Sequence, residues 1–157
     1  MNKKLSALLM VLMGAALLLA GCSAGAGQAA EKSVAEAAAT VEEFYRWYLA
    51  YPGNPFAERA YGDSPLLSEA FKAELDAAMD AMRAAGPGGA DLILCAQDIP
   101  GEMRYGAAAV AGDSATATVT QVWNPATEFE MLRDLTVTLE RAGDQWLIDG
   151  ISCPSPG

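Results

Sequence analysis

The stretch Ser114-Ala115-Thr116-Ala117-Thr118-Val119-Thr120-Gln121-Val122-Trp123 sets Ala115, Ala117 and Val119 against Thr116, Thr118 and Thr120. Successive side chains of an extended chain point to opposite faces, so this period of two marks a strand with one buried side. Asn124-Pro125 breaks it. Met131 to Arg141 repeats the pattern, with Leu135, Val137 and Leu139 facing one way and Thr136, Thr138 and Glu140 the other. Ala142-Gly143-Asp144 then turns into Gln145 to Cys153, and on the amino side Arg104 to Val110 precedes the turn Ala111-Gly112-Asp113. In the last strand Trp146 and Ile148 share a face, which Ile151 and Cys153 join only if Asp149-Gly150 forms a bulge. Four consecutive strands with short connections predict an antiparallel meander buried on one side.

Upstream the period changes to that of a helix. Ser33 and Glu36 have the spacing of a capping box, followed by apolar positions at Val34, Ala37, Ala38, Val41, Phe44, Tyr45, Tyr48 and Leu49. Glu42 and Arg46 form an i,i+4 pair on the other side. Tyr51-Pro52-Gly53-Asn54-Pro55 stops this helix, and residues 51–64 form a loop with room for one short helical turn. Ser68 caps a second helix that buries Phe71, Leu75, Ala78, Met79 and Met82 and ends at Gly86-Pro87. Two N-terminal helices laid on a curved antiparallel four-stranded meander make the fold class α+β.

This order of elements resembles the nuclear-transport-factor-2-like, cystatin-like cone fold. The likeness is carried by Phe44-Tyr45-Arg46-Trp47-Tyr48-Leu49, by Leu67-Ser68-Glu69-Ala70-Phe71 and by Trp146-Leu147-Ile148-Asp149-Gly150-Ile151. Within that superfamily the chain is similar to a bacterial lipoprotein family, domain of unknown function 3828, through Asp91-Leu92-Ile93-Leu94-Cys95-Ala96-Gln97-Asp98-Ile99-Pro100. The resemblance spans residues 34–153 and implies the cone fold without an activity. The chain departs from the dehydratases of the fold in lacking their histidine, and it shows no match to the Tyr and Asp pair of the isomerases.

Leu19-Ala20-Gly21-Cys22 closes an apolar run that starts behind Lys3 and Lys4, and it resembles the lipobox of a bacterial lipoprotein. That implies a signal peptide over 1–21, a diacylglycerol on the Cys22 sulfur, and a mature chain held on the extracytoplasmic side of a bacterial membrane. Ser23 in place of Asp implies the outer membrane if the host has one. An ordinary cleaved signal and an uncleaved transmembrane span are the competing readings of the apolar run, and the span is the one the residues themselves oppose. It is opposed by the run's length, at the short end of the ~20 residues a span needs, and by small residues at the cleavage position. Residues 22–32, small and polar, read as a lipidated flexible tether, and residues 33–157 as a single domain.

The chain has a net charge of −10, and removal of Lys3 and Lys4 leaves −12. Such a domain repels nucleic acid. With Cys22 committed to lipid, Cys95 and Cys153 are left as a disulfide pair in an oxidising compartment, with separately buried thiols as the alternative. The sequence contains no histidine, which excludes Ser-His-Asp and Cys-His catalysis, histidine-ligated zinc and imidazole acid–base chemistry. Gly86-Pro87-Gly88-Gly89 lacks the ending of a phosphate loop. No cofactor, metal site or catalytic residue is implied.

Candidates to line a cone cavity are Tyr45, Tyr48, Asp91, Gln97, Asp98 and Trp123. The aromatic residues read equally as core with a satisfied polar tip, and the aspartates as turn caps. Three functions remain open: a noncatalytic module that binds an envelope protein or small ligand, an isomerase or lyase using Asp98 with a tyrosine, and a structural envelope module with a filled core.

Overall fold

The computed structural model describes residues 21–86 and 88–154, with side chains from Gly27 onward. The expected signal segment, apart from Gly21, and the Cys22 side chain lie outside the described residues. The chain divides into two units after Ser33. Helix α1 runs Gly21–Ala50. It begins well before Ser33, which corrects the reading of residues 22–32 as a flexible tether and of Ser33 as the helix start. Ala29, Ala30, Glu31 and Lys32 are strong helix formers, and each residue added to a nucleated helix gains one backbone hydrogen bond. Residues 27–32 are exposed, so propagation and not packing extends the helix there.

In the second unit, Val34–Gly157, α1 buries Ala37, Val41, Phe44, Tyr45 and Tyr48, which fall on one stripe at helical spacing. Arg46 pairs with Glu42 on the exposed side, as the sequence predicts. Past Tyr51 the chain makes a 3-10 turn, Ala60–Asp63, the one short helical turn expected in this loop. Arg59, in the left-handed region at φ 57°, bonds Asp76 and Asp80 on the second helix. Tyr61 donates to Asp76 at 2.9 Å, and burial together with that carboxylate pushes its pKa up to about 12. Helix α2, Glu69–Ala85, buries Phe71, Leu75 and Met79, and Ser68 caps it by accepting the Phe71 N–H at 3.0 Å.

The strands are β1 Glu102–Tyr105, β2 Ala109–Ala111, β3 Ser114–Trp123, β4 Met131–Ala142 and β5 Gln145–Ser152. They form a curved, open antiparallel sheet in the order β1-β3-β4-β5, with β2 also pairing with β3. The architecture is α+β. The four-strand count is corrected to five, because the expected first strand is two pieces broken at Gly106–Ala108. At the break Gly106 comes so close to β3 that a Cβ there would lie 3.1 Å from the Thr118 carbonyl oxygen. Both pieces still pair with the one strand, so the meander path is kept.

The expected bulge in the last strand is present. Thr138 pairs with Gly150 and Leu139 with Ile148, leaving Asp149 as the extra residue. Freed from the ladder, the Asp149 carboxylate accepts a 2.6 Å bond from the Ser68 hydroxyl. The bulge thereby ties β5 to the start of α2, beside two backbone bonds between Ile148 and the Leu66–Ser68 segment. Phe44, Tyr45, Tyr61, Leu67, Ile93 and Leu135 are fully buried between helices and sheet, so the interior is filled with side chains.

Candidate functional site

Asp91 opens a tight loop that organises this end of the molecule. Its backbone N–H and carbonyl both bond Ala96, at 2.9 and 3.3 Å, closing the loop on itself. Asp91 Oδ1 accepts from the N–H groups of Ile93 and Leu94 at 2.8 and 3.0 Å, and Oδ2 accepts from the Tyr48 hydroxyl at 2.6 Å. A short Asx side chain is suited to capping amides two and three residues on. Two more bonds reach in from the core. Tyr45 donates to the Ile93 carbonyl at 3.1 Å, and Gln121 Nε2 donates to the Leu94 carbonyl at 2.7 Å. Cys95, left-handed at φ 52°, is disulfide-bonded to Cys153 just beyond β5. Two tyrosines of α1, a glutamine of β3 and a cysteine past β5 therefore latch one six-residue loop.

Burial raises the Asp91 pKa above its ordinary value, while the Tyr48 hydroxyl and the Leu94 and Ile93 amides pull it back down. Burial and the neighbouring Asp91 also raise both tyrosines well above the ordinary phenol range, so each stays a neutral donor. Tyr45, Tyr48 and Asp91 thus hold the loop, which agrees with the core and turn-cap alternatives for these residues.

The six cavity candidates are only partly brought together. Tyr45 is fully buried and lines neither of the two clefts that hold the other five. Tyr48, Asp91 and Gln97 share an open cleft of about 270 Å³ with Tyr51 and Pro55. Gln97, Asp98 and Trp123 line a larger one of about 480 Å³ together with Met131, Leu132 and Arg133. No tyrosine lines the cleft that holds Asp98, so Asp98 and a tyrosine donor do not face one another there. Both clefts open to the surface, while the interior between helices and sheet is filled with side chains.

Sequence reasoning missed two features. Gln121 is fully buried, holds the loop through Nε2, and leaves Oε1 without a hydrogen-bond partner. Its signal was present: a polar residue stands on the inward face of β3 after Ala115, Ala117 and Val119. The other feature is apolar. The large apolar residues exposed among the described residues are Ile99, Phe129, Met131 and Leu132, at 69, 69, 58 and 58 %. Met131 and Leu132 line the larger cleft, Phe129 precedes them in the β3–β4 loop, and Ile99 lines the smaller cleft. Among the described residues no group of three or more His, Cys, Asp or Glu is placed to hold a metal, and no helix is long and apolar enough to cross a membrane.

No protein-family model matches the chain, and no curated protein matches it at a significant level. A crystal structure of a protein of unknown function from Bacteroides thetaiotaomicron is similar to it, at 16 % identity and a TM-score of 0.53. The match covers 82 % of this chain and 95 % of that one, and it bears on the fold alone.

Proposed function

We propose that this protein is a noncatalytic binding module, lipid-anchored through Cys22 on the extracytoplasmic side of a bacterial membrane, with a nuclear-transport-factor-2-like domain of the kind the sequence resembles. Its recognition surface is the cleft between Gln97-Asp98 and Trp123, Met131 and Leu132. One observation carries the binding part of the reading: Met131 and Leu132, two of the large apolar residues exposed among the described residues, line together with Trp123 a cleft of ligand-binding size. The anchor rests on the Leu19-Ala20-Gly21-Cys22 motif and the apolar run before it. A partner in the same membrane as a lipid-anchored module is met at high local concentration, which makes a modest apolar cleft useful.

The filled interior favours a second reading, a structural envelope module without a ligand. Two measurements separate the readings and test the anchor. Full-length protein bearing 13C-methyl methionine is titrated with indole, a neutral apolar probe. The Met131 methyl resonance should shift saturably while that of Met79, buried on α2, stays fixed; no saturable shift would leave the structural reading. Cells fed labelled palmitate should label the wild type and not Cys22→Ser, and equal labelling of both would remove the anchor.

A further inference from the structure

Arg133 places a charge on the core-facing side of the sheet. Leu135, Val137 and Leu139 of β4 are buried, and the same alternation puts Arg133 and Met131 on their face. The register sets Arg133 opposite the fully buried Gln121 and Met131 opposite Trp123. Arg133 is half-buried, and its side chain makes no hydrogen bond or ion pair among the described residues. A guanidinium that has lost part of its hydration there favours a bound anion, which restores charge-assisted hydrogen bonds. The other wall supplies the opposite sign. Gln121 Nε2 holds the Leu94 carbonyl at 2.7 Å and Cys95 is bridged to Cys153, which fixes the chain that continues into Ala96, Gln97 and Asp98. Asp98 lines the same cleft as Arg133, is exposed, and likewise makes no side-chain hydrogen bond or ion pair among the described residues. One acid and one base therefore line a single cleft without bridging each other, beside the apolar Trp123, Met131 and Leu132. An anion alone leaves Asp98 facing it, a cation alone leaves Arg133 facing it, and a neutral apolar molecule satisfies neither.

We propose that this cleft binds a small apolar zwitterion, the chemistry of an amino acid or of a short peptide with free ends: its carboxylate on Arg133, its ammonium on Asp98 and a large apolar side chain on Trp123, Met131 and Leu132. The inference rests on the cleft being a binding site and adds the class of ligand it takes. A volume of about 480 Å³ lies within the range of small-molecule sites. The apolar contacts supply most of the affinity, and the two charges supply orientation and selectivity.

The test uses the full-length protein with the Met131 methyl resonance as readout and four compounds that share one ring: L-tryptophan, tryptamine without the carboxylate, indole-3-propionate without the ammonium, and indole without either. L-Tryptophan should bind about fivefold more tightly than either singly charged compound at low ionic strength, and the margin should shrink with added salt. Arg133→Met keeps the aliphatic stem and should erase the margin over tryptamine. Asp98→Asn should erase the margin over indole-3-propionate, and an unchanged Met79 resonance reports that each variant is folded. The comparison of the four compounds on the wild type stands even if a variant fails to fold. A tryptophan affinity no better than that of tryptamine or of indole-3-propionate overturns the zwitterion while the cleft stands on its indole shift. Margins that survive in both folded variants overturn the roles of Arg133 and Asp98 and the proposal with them. Silence of Met131 toward all four compounds overturns the binding site itself. Glycyl-tryptophan separates the two sources of the same chemistry: tighter binding than tryptophan assigns the cleft to short peptides, and weaker binding assigns it to free amino acids.

Discussion

Reducing the Cys95–Cys153 bridge should cost this protein stability without dismantling its fold. The two cysteines are 58 residues apart, and cross-linking a loop of that length removes unfolded-chain entropy equivalent to about 4 kcal/mol at 25 °C. In the native state the same loop keeps its other restraints: the Tyr45, Tyr48 and Gln121 bonds and the two Asp91 caps. Breaking the sulfur bond therefore acts mainly by freeing the unfolded chain. The unit Val34–Gly157 unfolds with an entropy of about 0.26 kcal/mol per kelvin at about 2.1 cal/mol/K per residue. The loss then corresponds to a melting temperature lower by about 15 °C. Circular-dichroism melts of the full-length protein in mild detergent, with and without a phosphine reductant, measure it, and Cys153→Ser should reproduce the reduced value. A shift below about 4 °C would refute the entropic argument. Loss of slow amide exchange at Leu94 on reduction at 25 °C would refute the claim that the latch holds without sulfur.

Two further outcomes follow from the same loop and from the bulge. Burial raises the Asp91 pKa, so the native state takes up that proton more readily than the unfolded chain as pH falls. The associated stability is complete below the ordinary carboxylate range and is lost as pH rises through the folded value. Asp91→Asn keeps the Oδ1 caps and removes the titration, so the melting-temperature advantage of wild type over the variant should shrink from about pH 3.5 to pH 7; an advantage that grows with pH contradicts this. Ser68→Ala deletes both the cap on Phe71 N–H and the donor to Asp149. It should cost about 1–2 kcal/mol in urea denaturation, against under about 0.5 kcal/mol for the exposed Ser114→Ala, and equal effects of the two would remove Ser68 as the link between α2 and β5.

Local pattern carried most of the fold. Alternation in Ser114–Trp123 and Met131–Ala142, the Ser68 cap, the bulge at Asp149 and the Cys95–Cys153 pair could all be read from neighbours in the chain or from cysteine arithmetic. The break after Gly106 could not, because alternation runs on through residues 104–110 while the pairing to β3 lapses between the Gly106–Thr118 bond and Ala109. Nor could the start of α1. Ser33 and Glu36 carry a capping signature, but the cap forms only where a helix has an end, and Ala-rich sequence upstream lets this one continue.

The candidate site divides along the same line. Sequence alone fixed which residue types were at hand: no histidine, an acidic chain, and a set of aromatic and carboxylate residues with two plausible roles each. Only the tertiary structure decided between those roles, since a hydroxyl becomes a structural donor or a free group according to what lies opposite it. Tyr45, Tyr48 and Asp91 met across 43 to 48 residues of chain and locked a loop. Met131 and Leu132 instead stayed exposed where β4 begins, with Trp123 half-buried opposite Met131. Whether an apolar side chain is core or contact surface depends on what packs over it, and that covering comes from distant segments that no local period encodes.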